Sequence, residues 1–437
     1  MSFKINFLIK HFIIPCLVFI SFSCKNKQSS SSNNEQAYND LQAFKLNKYT
    51  TFNFPKQFEK QHPFVIKEIY SRSLNSQSLK KNAITFQIDS SSNLKRKLYK
   101  IEQNKDTLFI TSKIYKGLIH SIQDLLYRAS KNSIPVNTLD VRPALDFKAL
   151  HFVIRKNKDI STYKKMIDLS WQNGYNTLII QLRNSINFDT LKSFDRRNIR
   201  YSKQDISQII NYAKAYGFEV IPEVKLLTKQ QKTFDFTNKS LLHNEKTYNP
   251  NNPNVYKHVF ALIDEILAID EFNYFHIGHD EVYGSDTRRK KVKALNQSSF
   301  VKDVITINDY LKRKNVKTMM WADMLWDREK FKIPQAGVKY LKGYEDAINH
   351  IPKDIILCDW HYRSNSKDFP TYKYFVDLGF ETWGVTWDNF EVTEHFTDYI
   401  INTPSPFKKG LIVTTWHRSN KEIENIIKTS ADIFKDE

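Results

Sequence analysis

Glycine is scarce, with 10 in 437 residues, so each glycine at the end of a strand is a deliberate choice. Cysteine is scarcer. Of three, Cys16 and Cys24 fall in the first 24 residues and only Cys358 remains in the body. That excludes a disulfide framework or a cysteine zinc cluster within the body. No spacing of a nucleophilic serine or cysteine, a phosphate loop or a dinucleotide fingerprint is present. No metal site is expected, and no cofactor. The chain is basic, with a formal net charge of +19, yet its Lys and Arg form no stripe, zinc spacing or aromatic-basic repeat. Nucleic acid is therefore not an expected partner, and the basic residues read as solvated helix faces, the run Arg288–Lys291 included. Against these absences stand 41% hydrophobic and 14% aromatic residues, enough for a sizeable core.

The N-terminus has the form of an export signal. Lys4 and Lys10 precede the apolar run Phe12–Ser23, too short to span a bilayer comfortably, and Cys24 follows directly. The next segment, KNKQSSSSNNEQ, is polar and reads as a tether. The arrangement resembles a bacterial lipoprotein signal over residues 1–24, with lipid on Cys24 and a linker over 25–41. An ordinary cleaved signal with an incidental cysteine is the competing reading. The expected location is the bacterial cell envelope, lipid-anchored to a membrane.

Residues 42–142 read as a small α+β domain. The runs Phe64–Tyr70, Ala83–Asp89, Lys97–Gln103 and Thr107–Lys113 are β-rich, and Asn104–Asp106 makes a hairpin turn. Leu118, Ile119, Ile122, Leu125, Leu126 and Ala129 then share one helical face. From 143 to 437 eight apolar runs alternate with helical stretches: 149–155, 177–182, 219–224, 274–280, 317–324, 355–362, 381–387 and 410–417. Ser202 and Gly217 bracket one of those helices as expected caps. Eight strand–helix units with near-continuous apolar strands predict a (β/α)8 barrel behind the small domain.

A barrel of this kind places its chemistry at the C-terminal ends of its strands. There the third run carries Glu223 and the fourth Asp280 and Glu281. The fifth carries Trp321 and Asp323, the sixth Asp359, Trp360 and Tyr362, the seventh Trp383 and Trp387, and the eighth Trp416 and His417. Five of seven tryptophans lie in the last four runs. Tryptophan faces stack on sugar rings, although large residues also fill barrel layers. Alternation puts His276, Gly278 and Asp280 on one face of the fourth strand, with Gly278 expected to leave space beneath Asp280 and Glu281 released at the strand's end. Two carboxylates buried together would not both ionise easily, and one pKa would rise. That division suits one general acid and one charged helper.

The motif FHIGHDEVYG resembles the His-x-Gly-x-Asp-Glu signature of glycoside hydrolase family 20, the β-N-acetylhexosaminidases. EVIPEVKLLTKQ resembles the family's third-strand segment. GYNTLIIQL and MMWADMLW look closer to its hexosaminidase D-like branch. KGLIHSIQDLLY resembles the end of the α+β domain that precedes the family's barrel. The resemblance implies an exo-acting hydrolase that removes terminal β-linked N-acetylhexosamine, with the substrate's own acetamido oxygen as nucleophile. It implies Asp280 as the residue polarising the acetamido nitrogen and Glu281 as the general acid/base. Trp321, Asp323, Trp360, Tyr362, Trp416 and His276 form the expected substrate-binding set, with Tyr362 as a donor to the acetamido oxygen. Three departures bear on sugar recognition. Lys148 stands nearest the family's first-strand arginine, IIQLRNS replaces the family's second-strand histidine motif, and His417 and Arg418 follow the eighth-strand tryptophan where a glutamate is common. The alternatives are a non-catalytic glycan-binding lipoprotein on a hydrolase scaffold, and a hydrolase of a different sugar.

Overall fold

The computed structural model describes residues 46, 48–73, 81–91, 94, 98–130, 139–141, 144–191, 200–230, 239–282, 295–333, 337, 343–363, 367–416 and 419–433. Cys24 with its flanking segments, the basic run 288–291 and His417 lie outside the described residues. Ala43–Glu437 is one compact unit that holds both a small α+β region and a barrel.

The small region is a five-stranded sheet in the order β1-β2-β4-β3-β5. Its strands are β1 (Thr50–Asn53), β2 (Asn82–Ile88), β3 (Tyr99–Asn104), β4 (Thr107–Ser112) and β5 (Leu139–Val141), with helices α1 (Lys56–Gln61), α2 (Pro63–Ser73) and α3 (Tyr115–Ser130). The β3–β4 hairpin turns where Asn104–Asp106 predicts it, with Lys105 at φ +52°. The run Phe64–Tyr70 corrects the sequence reading: it is helix α2, not a strand. Its β-branched residues favour a strand locally, but Val65, Ile69 and Ser73 recur at i, i+4 and i+8 and all are buried. Pro63 opens the helix, where its missing N–H costs nothing. Helical burial therefore overrides local propensity.

Eight parallel strands close the barrel: β6 (Phe147–Val153), β7 (Thr177–Gln181), β8 (Glu219–Leu226), β11 (Tyr274–Gly278), β12 (Lys317–Trp321), β13 (Ile356–Trp360), β14 (Thr382–Thr386) and β15 (Lys408–Thr414). A short hairpin, β9 (Leu242–Asn244) with β10 (Thr247–Tyr248), follows β8. The outer ring begins with α4 (Ile160–Gln172) and α5 (Lys203–Ala215), and α6 (Asn254–Leu267) and α7 (Gln297–Lys312) follow. Ser202 caps α5 through a capping box with Asp205, and Gly217 follows the helix at φ +82°. Gln123 of α3 donates to the carbonyls of Trp171 and Tyr175, 2.9 and 3.1 Å away, which joins the small region to the barrel.

Each barrel strand has two buried faces. Outward residues join the continuous core under the helices, while Ala149, Ile179, Ile221, Met319, Ile356 and Ile412 fill the barrel axis. Trp383 belongs low in that filling, stacked on Phe147 of β6 with ring centroids 4.4 Å apart. Among the described residues no helix is long and apolar enough to cross a membrane.

Candidate active site

The fourth barrel strand stops alternating before it ends. Gly278, His279 and Glu281 have φ of +79°, +67° and +48°, and the pairing of β11 with β8 skips a residue between His276 and Gly278. A non-glycine residue in this region costs energy unless its surroundings hold it there. His279 is held by Asp303 of α7, whose carboxylate lies 2.8 Å from its Nε2 and accepts from the hydroxyls of Tyr248 and Tyr256 at 2.9 and 2.8 Å. Glu281 is held by its own N–H, which donates to Asp323 Oδ2 at 2.9 Å. Gly278 does not leave space under Asp280 as alternation suggests. A Cβ there would meet Lys225 Cα at 3.0 Å and the Val224 carbonyl at 3.2 Å, so glycine admits the neighbouring backbone.

The kinked turn sets two carboxylates apart. Asp280 is buried, whereas the Glu281 side chain is 42% exposed at the mouth. Lys225 Nζ lies 2.9 and 2.8 Å from the two Asp280 oxygens. Lys229 Nζ lies 2.5 Å from Asp280 Oδ2 and 2.9 Å from Glu281 Oε2, so one ammonium bridges the pair. Burial alone would raise the Asp280 pKa, but the two lysines outweigh it and hold the carboxyl well below the usual range. Burial likewise opposes the charge on Lys229, and Asp280 and Glu281 raise its pKa above the ordinary lysine value.

A third carboxyl, Asp323, has a raised pKa. Asp323 is buried, and that burial, with the Asp280 charge next in weight, pushes its pKa up to about 7. The condition on which the sequence reading rests, both carboxylates of the pair buried together, is not met: Glu281 is partly exposed, and Lys225 and Lys229 hold the charge on Asp280.

Beneath the pair lies a polar layer on the barrel axis. Glu223 is fully buried, with Oε2 2.6 Å from His151 Nε2 and Oε1 accepting from Gln181 at 2.8 Å and Trp321 at 3.2 Å. Burial opposes its charge, but His151 and then Lys225 hold its pKa below the usual range. His276 is fully buried, with its ring 4.4 Å from that of Trp321, and burial lowers its pKa to about 4. Its Nδ1 accepts the Gly278 N–H at 3.1 Å, which helps shape the kink. His276 and Trp321, from the expected substrate-binding set, therefore sit under the mouth.

Asp323 is buried behind Glu281, and Trp360, Tyr362 and Trp416 line the mouth. Trp360 and Tyr362 are half-buried and stacked at 4.9 Å, and Trp387 meets Tyr362 edge-on at 5.5 Å. Trp416 donates to the Tyr362 hydroxyl at 2.9 Å. Burial raises the Tyr362 pKa, which keeps its O–H protonated as a donor. Lys225 joins the two sides, its Nζ 5.2 Å from the Trp416 ring centroid and 5.9 Å from that of Trp321. Asp359 faces away, accepting from Thr371 at 2.7 Å in the helical layer. Lys148 also faces outward, toward His120 of α3 rather than the site.

Sequence reasoning missed Lys225, Lys229 and Gln181. The alternation that singles out Glu223 also places Lys225, two residues on, on the same axial face. Lys229 had no such signal. It follows a turn with Leu227 and Lys229 at φ +62° and +57°, braced by Gln230, whose side chain donates to the carbonyls of Lys225 and Thr228 at 3.0 and 2.8 Å. Among the described residues no cluster of three His, Cys, Asp or Glu side chains is arranged to hold a metal ion.

The model of the glycosyl hydrolase family 20 catalytic domain matches residues 160–367, a span that includes Glu223, Asp280, Glu281 and Asp323. Among solved structures, the chain is similar to a chitobiase from Flavobacterium johnsoniae, 15% identical with a TM-score of 0.62. That match covers 90% of this chain and 66% of the chitobiase. It is also similar to a β-N-acetylhexosaminidase from Bacteroides fragilis, 14% identical with a TM-score of 0.60, over 88% of this chain and 86% of that one. A Streptomyces plicatus β-hexosaminidase in complex with the product GlcNAc is 12% identical with a TM-score of 0.59, over 90% of this chain and 86% of that one. At these identities the solved structures establish the fold, and the family match covers the middle of the chain, residues 160–367. Residues 160–367 thus match the catalytic domain of glycosyl hydrolase family 20, and the chain is a divergent, β-N-acetylhexosaminidase-like glycosidase.

Proposed function

We propose that the protein is an exo-acting β-N-acetylhexosaminidase that cleaves with retention, using the substrate's acetamido group as nucleophile. The observation that carries this reading is the separation of Asp280 from Glu281: adjacent in sequence, one is buried and held charged, the other stands at the mouth. In the first half-reaction the acetamido carbonyl oxygen bonds to the anomeric carbon while the bond to the leaving oxygen breaks. Glu281 gives that oxygen its proton. Asp280 accepts a hydrogen bond from the acetamido N–H, whose acidity rises as positive charge develops on the new five-membered ring. In the second half Glu281 takes a proton from water, the water oxygen bonds to the anomeric carbon, and the ring reopens to the acetamide. Two inversions sum to retention.

The protein's own contribution is positioning. Lys225 and Lys229 fix the Asp280 carboxylate, and Tyr362 presents an O–H on the opposite wall. Lys229 also occupies a Glu281 oxygen, so a sugar entering the site displaces it from there. That same lysine supports a second reading, a glycan-binding site that does not cleave. Purified full-length protein in detergent, assayed with aryl β-N-acetylglucosaminide and galactosaminide, separates the two. Turnover that Glu281→Gln abolishes supports the hydrolase, and binding with no turnover of any 2-acetamido glycoside supports the binder.

We also propose that the enzyme is exported and lipid-anchored at Cys24. Radiolabelled palmitate should enter the wild type and not Cys24→Ala. Equal absence of label from both would refute the anchor.

A further inference from the structure

The turn that carries the two carboxylates is pegged at each residue. The Gly278 N–H donates to His276 Nδ1 at 3.1 Å, Thr228 Oγ1 donates to the Asp280 carbonyl at 2.9 Å, and the Glu281 N–H donates to Asp323 Oδ2 at 2.9 Å. At His279 the peg is the side chain itself. Its Nδ1 lies 3.1 Å from the Ile277 carbonyl and its Nε2 2.8 Å from Asp303 Oδ2, and Phe300 meets the ring edge-on with centroids 5.9 Å apart. Asp303 is in turn fixed from two other elements. The hydroxyls of Tyr248 on β10 and Tyr256 on α6 donate to its two oxygens, and burial and then the Asp303 charge raise both hydroxyl pKa values, which keeps them donors. One fully buried carboxylate thus ties α6, α7 and the β9–β10 hairpin to the residue that precedes Asp280.

Stability alone does not explain this arrangement. Glycine takes a φ of +67° without strain, whereas histidine is strained there unless held. A buried pair of this kind also adds little over apolar side chains of the same volume. What it adds is direction, since a ring anchored at both nitrogens is fixed in rotation. The two carboxylates depend on that direction unequally. Asp280 is gripped at its own carboxylate by Lys225 and Lys229. The Glu281 carboxylate reaches Lys229 at 2.9 Å, a contact that an entering sugar displaces, so its aim rests on the backbone of the turn, where Glu281 has a φ of +48°.

We propose that His279 and Asp303 are positioning residues that aim Glu281 at the leaving oxygen of the sugar, acting through the turn without touching the substrate. A general acid works only within hydrogen-bond reach of the oxygen it protonates, so a small swing of the turn disarms it. The inference rests on the glycosidase reading for the group that Glu281 meets.

The test compares phenyl and dinitrophenyl β-N-acetylglucosaminides, with purified full-length protein in detergent. Phenolate leaves with a proton from Glu281, whereas dinitrophenolate is a weak enough base to leave without one. A misaimed Glu281 therefore harms the phenyl substrate selectively. A merely structural loss removes active protein and lowers kcat/KM for both substrates equally. His279→Gly keeps the left-handed turn but cuts the tether. It should lower kcat/KM for the phenyl substrate about 100-fold, the order that a misplacement of about 1 Å costs, and leave the dinitrophenyl substrate within a few-fold of wild type. Asp303→Asn keeps the shape and one acceptor oxygen, so it serves should His279→Gly fail to fold, and it should show the same selective loss at several-fold. Equal losses on both substrates, or wild-type rates on both, overturn the proposal. If the wild type hydrolyses neither substrate, the glycosidase reading fails and calorimetric titration of N-acetylglucosamine decides. Binding about tenfold weaker in the variants than in the wild type then upholds the aiming of Glu281 at the sugar, and equal binding or none overturns it.

Discussion

The mouth of the barrel has two unlike halves. The first four strands end in charge, with Arg155, Arg183, Glu223, Lys225, Asp280 and Glu281. The last four end in rings, with Trp360, Tyr362, Trp387 and Trp416 at the surface and Trp321 beneath. Charged groups can be placed and partnered one at a time, which suits proton transfer and the stabilisation of charge that develops at one atom. Rings offer broad, non-directional contact, which suits holding a sugar face while its bonds change. Lys225 belongs to both halves, bound to Asp280 and lying over the Trp416 ring. The comparison therefore separates chemistry from grip: substitutions on the charged half should act on kcat, and those on the aromatic half on KM.

The largest effect should come from Glu281→Gln, which removes the proposed proton donor and should cut kcat by ~10²–10⁴-fold. The side chain is partly exposed, so the thermal transition should hardly move; steady-state kinetics with a melting curve checks both. Next is Lys225→Met, which leaves Asp280 and Glu223 buried with one cation fewer. Breaking a buried pair costs about 3–5 kcal/mol, so denaturant unfolding should show a loss of that order, partly offset by Lys229. Third is Asp323. With a pKa of about 7 when folded, and near 3.9 when unfolded, its native form binds more protons than its unfolded form between those values. Stability should therefore fall as pH rises from about 4 to about 7 and level off above it. Asp323→Asn keeps an acceptor for the Glu281 N–H and should lack that slope, as melting curves across the range would show. The smallest effect belongs to Trp360→Ala, where the lost stacking of about 0.5–1.5 kcal/mol predicts a several-fold rise in KM with little change in kcat.

Much of this was legible in the sequence because parallel strands buried on both faces leave a clear mark. The eight apolar runs, the order of their ends and the Asp280–Glu281 pair all follow from it. What alternation did not reveal begins where alternation stops. Gly278, His279 and Glu281 turn to positive φ, and the reason for Gly278 is the backbone of the next strand, which a single strand's pattern does not contain. Lys229 reaches the carboxylates from a turn braced by the β9–β10 hairpin, through Gln230 bonded to the Lys246 carbonyl at 2.9 Å. Its position depends on three segments distant in sequence. Phe64–Tyr70 misled for the opposite reason: its β-branched residues are a local signal, and burial against α3 is not. The tryptophans divide the same way, since composition puts five in the last four strands but only packing separates Trp383 at the barrel floor from Trp416 at the mouth.

The central claim is that the substrate supplies its own nucleophile between Asp280 and Glu281. It is tested most directly by comparing two aryl β-glycosides that differ only at the 2-acetamido group, one acetyl and one trifluoroacetyl. Fluorine withdraws electrons from the carbonyl oxygen that must attack, so kcat/KM should fall by orders of magnitude for the trifluoroacetyl substrate. Equal rates would mean that the oxygen does not attack, and the account would fail.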